Sequence, residues 1–291
     1  MRYLYYPGCS LKGTGRAYEE SILAVFKKLE IPMDEIEDWN CCGATAYMAV
    51  DEQKAYAVAS RNLALAERQM DSEEIHVIAP CAACYLVLLK AQHYLESKDG
   101  QGKEIRHALK VGGLKYQGKV KIRHPLDVLV NDYGVDKIKE KVERPLEGVR
   151  VASYYGCQIV RPYAEFDNQY NPISMDRVMT ALGAEAVEWP LKTRCCGGTL
   201  TGVVPEVGQR LSYILLREAK SRGADAIVTA CPLCQFNLEC YQDEMNKRFM
   251  HPVDIPPVYF TQMMGVALGL GERELGLQRQ FVPLEPALAA K

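Results

Sequence analysis

Ten of the eleven cysteines fall into two copies of one order: a lone Cys, then Cys-Cys-Gly, then Cys-x-x-Cys. They are Cys9, Cys41, Cys42, Cys81 and Cys84 in the first copy and Cys157, Cys195, Cys196, Cys231 and Cys234 in the second. The gaps are 31 and 38 residues in the first copy and 37 and 34 in the second, so a complex order repeats while only its linkers vary. Thiolates at this density are soft ligands for zinc or iron. A structural zinc closes with four ligands and a four-iron cubane takes four thiolates, whereas each copy offers five. Side chains of adjacent residues diverge in regular backbone, so Cys41-Cys42 and Cys195-Cys196 suit different irons, or bridging, better than chelation of one. The expected chemistry is an iron–sulfur assembly larger or more open than one cubane in each half. Zinc or an ordinary cubane in one half is the simpler alternative.

A disulfide framework is the other use for many cysteines. The opening segment MRYLYYPGC shows no charged leader followed by an apolar stretch and a cleavage site. The expectation is therefore the cytoplasm, where thiols stay reduced and hold metal.

The elements that must position these thiols follow from the intervening sequence. The segments RYLYYPGC (2–9) and RVASYYGC (150–157) both read as a short buried strand ending at the first cysteine, with Pro7-Gly8 and Gly156 supplying the break. A helix is expected after each, with Ile22, Leu23, Val25, Phe26 and Leu29 on one face in 18–29, and Val178, Met179 and Leu182 in 173–182. A second helical stretch follows each Cys-Cys-Gly, marked by Ala55, Val58, Leu63 and Leu65 and by Leu211, Ile214 and Leu215. The apolar runs 75–79 and 226–230 then read as buried strands leading into Cys81 and Cys231. Strands alternating with helices imply an α/β fold: two pseudo-symmetric Rossmann-like domains with parallel sheets, each carrying one Cys-Cys-Gly motif. In such sheets ligands lie beyond the carboxyl ends of the strands, where Cys9, Cys81, Cys157 and Cys231 fall. Each Cys-x-x-Cys is expected to open a helix, whose free N–H groups and dipole favour thiolate. The segment 141–150, with Pro145 and Gly148 among charged residues, divides the chain into cluster-binding domains 1–145 and 146–291.

Hydrophobic residues at 48% and charged residues at 25% are ordinary globular values, and a formal net charge of -2 without a basic run excludes nucleic acid as the expected partner. The apolar stretch 263–271 is about half the roughly 20 residues that span a bilayer, so no membrane span is expected.

The motifs YPGC (6–9), NCCG (40–43), APCAAC (79–84), RCCGG (194–198) and TACPLC (229–234) resemble the cysteine-rich CCG domain, and the chain as a whole is similar to the heterodisulfide reductase B-subunit family. The resemblance implies two non-cubane [4Fe-4S] clusters, one on Cys9, Cys41, Cys42, Cys81 and Cys84 and the other on Cys157, Cys195, Cys196, Cys231 and Cys234. It implies reduction, or formation, of a disulfide of small thiol cofactors such as CoM-S-S-CoB between the two clusters. Two one-electron centres flanking the S–S bond would capture both sulfurs without freeing a thiyl radical. Such motifs belong by resemblance to methanogenesis and also to bacteria that lack the methanogen thiols. The chain has neither the C-x2-C-x2-C-x3-C-P ferredoxin run nor a clear dinucleotide-binding glycine motif, so electrons must come from another subunit. By resemblance the partners are a ferredoxin-like iron–sulfur C subunit and a flavin-containing A subunit. The rival expectation is an electron-transfer or anchoring CCG subunit of a respiratory or flavin-dependent complex, passing electrons to a quinone or carrier without a disulfide substrate.

Outside the two sets, His124 in RHPLD (123–127) is the candidate proton donor to a leaving thiolate. His76 reads as a core histidine, and His93, His107 and His251 as structural or surface residues. Cys240 reads as a buried structural thiol. Lys12, Arg16, Lys192 and Arg194 lie near ligand cysteines and are candidates to balance cluster charge or attract an anionic substrate, against the commoner role of solvated cations. Tyr5, Tyr6, Tyr154 and Tyr155 read as core packing, and Gly43, Gly197 and Gly198 as turn residues that allow close backbone approach to a cluster.

Overall fold

The computed structural model describes residues 2–44, 46–97 and 100–289. Its eight strands are β1 (Tyr3–Tyr5), β2 (Met33–Glu35), β3 (Ile75–Ile78), β4 (Val120–Arg123), β5 (Arg150–Tyr154), β6 (Glu185–Ala186), β7 (Ala226–Thr229) and β8 (Pro257–Tyr259). The longer helices are α1 (Arg16–Lys28), α2 (Glu52–Gln69), α3 (Ala82–Glu96), α4 (Gly100–Val111), α5 (Ser174–Ala181), α6 (Pro205–Ser221), α7 (Pro232–Glu239), α8 (Gln242–Arg248) and α9 (Phe260–Ala267). The strands form two four-stranded sheets of order β2-β1-β3-β4 and β6-β5-β7-β8, every pairing parallel. The fold is α/β with two pseudo-symmetric parallel sheets, as the alternation of apolar runs and helical faces requires.

The central strands are those legible in sequence: β1, β3, β5 and β7 are apolar or aromatic and almost wholly buried. Parallel strands covered on both faces read as continuous apolar runs for this reason. The edge strands β2 and β6, MDE and EA, are short, rich in acidic residues and partly exposed, so nothing in their composition separates them from loop. At the N-terminus the strand stops at Tyr5, and Cys9 lies in a short helix, Gly8–Leu11, rather than at the strand's end.

The chain forms two compact units whose limits differ from the repeat. One takes in the chain up to Gly13 and Ile31–Pro125; the other takes in Thr14–Glu30 and the chain from Leu126 onward. Helix α1, expected to serve the sheet it follows, is thus part of the second unit. Tyr18 stacks on Tyr259 with ring centroids 4.4 Å apart, Ser21 and Thr261 share a buried 2.6 Å hydrogen bond, and Arg279 grips Glu20 through two 2.8 Å bonds. The apolar face of α1 is answered by α9, which explains the assignment: Ile22, Val25 and Phe26 are fully buried. The segment near Pro145 remains the midpoint of the sequence repeat, while the compact units part at Pro125 and Leu126.

Candidate metal centres

Cys81 is the residue before the first turn of α3, and Cys231 holds the same place before α7. Cys84 and Cys234 follow in the first turn of those helices, so each Cys-x-x-Cys sits where unpaired N–H groups and the helix dipole favour anionic sulfur. The lone cysteines follow β1 and β5, and the adjacent pairs lie in irregular backbone.

In each unit the five sulfurs gather into a string of the same order. In the first, Cys9 Sγ lies 3.5 Å from Cys41 Sγ, and Cys42 Sγ lies 3.3 Å from Cys84 Sγ. Hydrogen bonding between Cys41 and Cys42 and between Cys84 and Cys81 completes the string. The second repeats it: Cys157 is bonded to Cys195, Cys195 to Cys196, Cys196 Sγ lies 3.5 Å from Cys234 Sγ, and Cys234 is bonded to Cys231. Adjacent cysteines hydrogen-bond to each other as well as to different further neighbours, so in this irregular backbone their side chains do not diverge as regular backbone would make them. Cys9, Cys41 and Cys195 are exposed and Cys157 is half-buried, while Cys42, Cys81, Cys84, Cys196, Cys231 and Cys234 are buried.

In each string one thiol is drawn toward the anion, while Cys84, Cys196 and Cys234 are pushed up by their hydrogen bonds to neighbouring sulfurs and by burial. The hydrogen bond from Cys41, then that from Cys84, pulls Cys42 down to about 4. Cys195 is pulled down to about 2 by Cys157 and then Cys196, with help from the Gly197 amide and the Arg161 charge. The partner thiols Cys41 and Cys157 move up, because each gives its proton to that hydrogen bond and is partly buried.

Two paired devices shape the sites. The Tyr6 hydroxyl donates to the Asn40 carbonyl at 2.8 Å, and the Tyr154 hydroxyl to the Arg194 carbonyl at 2.7 Å. Each tyrosine stands three residues before the lone cysteine and holds the residue just before the cysteine pair. Burial first, then the nearby sulfurs, raises both phenols far above their ordinary range, so they stay protonated donors. Gly8 and Gly156 both sit at φ +68°, and a Cβ there would lie 2.9 Å from Cys84 Sγ and 3.2 Å from Cys234 Sγ. Only glycine combines that backbone with that approach to sulfur. Gly43, Gly197 and Gly198 also have positive φ, and a Cβ on Gly197 would lie 2.9 Å from the Gly208 backbone.

The donor chemistry fits an iron–sulfur cluster. Each set is all sulfur, contains five thiols, and is fed by backbone amides from Gly43 and Gly197 at 3.5 and 3.4 Å. Among the described residues no group of three or more His, Cys, Asp or Glu side chains is arranged to hold a single metal ion.

The other candidates separate. His124 is fully buried, its ring edge-on to Tyr85, and His76 is buried between Arg123 and Glu74. Lys12 pairs with Glu35 at 2.8 Å, Arg16 with Glu20 at 3.2 Å, and Lys192 is buried against Asp176 at 2.9 Å, so these cations are matched by carboxylates. The Arg194 side chain is exposed, and its carbonyl serves Tyr154. Cys240 is half-buried at the end of α7, its thiol pushed up to about 11 by burial and by Glu239. Tyr5 is buried in β1, and Tyr155 donates to Asp176 at 2.7 Å. Sequence reasoning missed Arg161, which donates to the Thr193 carbonyl, and Asn237, whose Nδ2 lies 3.4 Å from Cys196 Sγ. Asn237 had a readable signal, since three residues after Cys234 on a helix is the same face.

A family profile described as a cysteine-rich domain, CCG, matches residues 3–89 and again 151–239. The chain is 32% identical over 282 residues to the 8-methylmenaquinol:fumarate reductase membrane anchor subunit of Wolinella succinogenes, covering 96% of both chains. It is 30% identical to the B subunit of the ferredoxin:CoB-CoM heterodisulfide reductase of Methanosarcina mazei, over 94% of this chain and 92% of that one. An Archaeoglobus profundus protein named for its likeness to the heterodisulfide reductase B subunit is also 30% identical, over 92% and 91% of the two chains. A hypothetical protein from Helicobacter pylori shares the fold with a TM-score of 0.77 at 14% identity; the match covers 97% of this chain but only 52% of that one. No helix among the described residues is long and apolar enough to cross a membrane. Both five-cysteine sets lie inside the matched segments, and the chain belongs to the CCG cysteine-rich domain family, with the B subunits of heterodisulfide reductase among its relatives.

Proposed function

We propose that the chain is the component of an oxidoreductase complex that reduces, or forms, a disulfide of small thiol cofactors such as CoM-S-S-CoB. Two non-cubane [4Fe-4S] clusters would serve it, one on Cys9, Cys41, Cys42, Cys81 and Cys84 and one on Cys157, Cys195, Cys196, Cys231 and Cys234. The observation that carries this reading is the matched open edge: Cys9 with Cys41, and Cys157 with Cys195, reach solvent while the other three thiols of each set are buried. A simple relay needs one accessible edge, whereas chemistry on two sulfur atoms uses both.

The reaction is R–S–S–R′ plus two electrons and two protons giving RSH and R′SH; the S–S bond breaks, and each sulfur gains one electron and one proton. Bound clusters supply electrons singly, at potentials set by hydrogen bonds to sulfur and by exposure. The chain's own residues hold the thiols: Tyr6 and Tyr154 fix the loops that carry the cysteine pairs, and Gly8 and Gly156 admit the helix-bound sulfurs. Proton donation by His124 would need access to the reacting sulfur, and because that side chain is fully buried it is assigned no step. Electrons come from a ferredoxin-like C subunit, itself supplied from a flavin-containing A subunit, in the cytoplasm.

EPR of the oxidised, anaerobically purified chain, with and without coenzyme M, coenzyme B or coenzyme A, tests the proposal. A thiol-dependent paramagnetic signal is expected. Full iron occupancy with no response to any thiol would favour a second reading, an electron-relay or anchoring role that serves a quinone. That reading draws on the Wolinella relative and on a 530 Å³ cavity in the first unit, walled by Cys41, Tyr47, Val58, Leu109 and Leu114, with Arg61 at its polar side.

A further inference from the structure

The two cysteine strings match in order, in their tyrosines and in their glycines, so the places where they differ are informative. The second site has two nitrogen donors beside its adjacent pair. The Asn237 amide is 1% exposed; its Nδ2 lies 3.4 Å from Cys196 Sγ and 2.9 Å from the Gly198 carbonyl. Both acceptors need an N–H, which fixes the amide with its nitrogen toward sulfur. Arg161 anchors its guanidinium on the Thr193 carbonyl, two residues before Cys195, which places a fixed cation on the segment that carries the pair. Counted from the cysteines, Asn237 corresponds to Val87 and Arg161 to Gly13, neither of which carries a side-chain donor or charge. The cations that neighbour the first string are matched by carboxylates: Lys12 is paired with Glu35 at 2.8 Å, and Arg61, which lines the cavity beside Cys41, with Asp38.

Adding an electron makes a cluster more negative, so an N–H aimed at a ligand sulfur and a nearby fixed cation stabilise the reduced form and raise the reduction potential. We propose that the two cluster sites are electrochemically inequivalent, and that Asn237 and Arg161 are positioning residues that hold the second at the higher potential. Electrons entering the chain therefore collect at the Cys157–Cys234 site, and the Cys9–Cys84 site is the stronger reductant. This rests on the proposed clusters but not on the disulfide substrate, since a relay protein would show the same asymmetry.

The test is a potentiometric titration of the anaerobically purified full chain, followed by EPR and visible absorption, with iron counted in every sample. Two separate one-electron waves are expected. Asn237→Val, which reproduces the first site's residue, should lower the higher wave and leave the lower one in place; Arg161→Gln should do the same. Val87→Asn should raise the lower wave, and this gain keeps the test decisive if a second-site variant loses its cluster. Coincident waves in the wild type, or full iron with waves that none of the three variants moves, would overturn the inference while leaving the clusters standing. A chain that binds no iron would overturn both.

Discussion

At the scale of single residues, the sites depend on side chains that do not themselves bind metal. Tyr6 and Tyr154 each span a long stretch of chain to reach one carbonyl; loss of the Tyr154 bond takes from the Arg194 carbonyl its side-chain donor, while the Asn40 carbonyl that Tyr6 reaches keeps a second donor in the Asn62 amide at 3.1 Å. Tyr6→Phe and Tyr154→Phe should each cost about 1 kcal/mol in urea unfolding of the metal-free chain, and each should speed iron loss from its own unit. Unchanged stability and iron retention would mean the hydroxyls are incidental. Gly8→Ala and Gly156→Ala should be worse, because positive φ and contact with sulfur both oppose a Cβ; each should cost more than about 1 kcal/mol. Of the two, Gly8→Ala should shed iron faster, since its Cβ would meet sulfur at 2.9 Å rather than 3.2 Å. The ten cysteines were legible because their order is written in the chain and helices open on strands at fixed offsets. The tyrosine bonds were not, since an aromatic residue in an apolar strand looks the same whether its hydroxyl is used or idle. Arg161 belongs to no motif, and only the loop's path brings it to Thr193.

At the scale of elements, the informative departure is α1. Its helical face was legible from Ile22, Val25 and Phe26, but periodicity shows that a face is apolar and not which sheet covers it. The contacts that decide its home come from Tyr259, Thr261 and Arg279, residues far along the chain. Tyr18→Ala should therefore destabilise the second unit by about 3 kcal/mol or more, read as a lowered urea midpoint. Leu23, exposed on the solvent side of the same helix, should tolerate alanine with little change in that midpoint. Glu20 adds a pH dependence. Hydrogen bonding from Arg279, followed by the charges of Arg279 and Arg16, holds its carboxyl below the ordinary range. A depressed carboxylate contributes stability above its unfolded pKa and loses it as pH falls through its folded one. Glu20→Gln should thus lower the melting temperature slightly near pH 7 and make no difference near pH 3, with added salt shrinking the neutral-pH effect because the pair is largely exposed. An equal loss at both pH values would indicate packing instead.

At the scale of the whole molecule, the repeat in the sequence is a repeat in structure: two sheets of matching strand order, each presenting one five-thiol string beyond the carboxyl ends of its central strands. The sheets were legible as a class because their central strands are continuous apolar runs; the edges β2 and β6 were not, because their acidic, partly exposed residues carry no apolar run. The compact units were not legible either, since the composition shift near Pro145 marks where the repeat restarts, whereas packing divides the chain at Pro125 and exchanges α1. The central claim is that each unit holds its own cluster on its own string. Iron and acid-labile sulfide, counted per chain after anaerobic purification alongside zinc, test it most directly. Two [4Fe-4S] clusters require about eight irons with matching sulfide and no stoichiometric zinc, falling to about four in Cys42→Ser or Cys196→Ser; stoichiometric zinc, or no more than about four irons in the wild type, would contradict it.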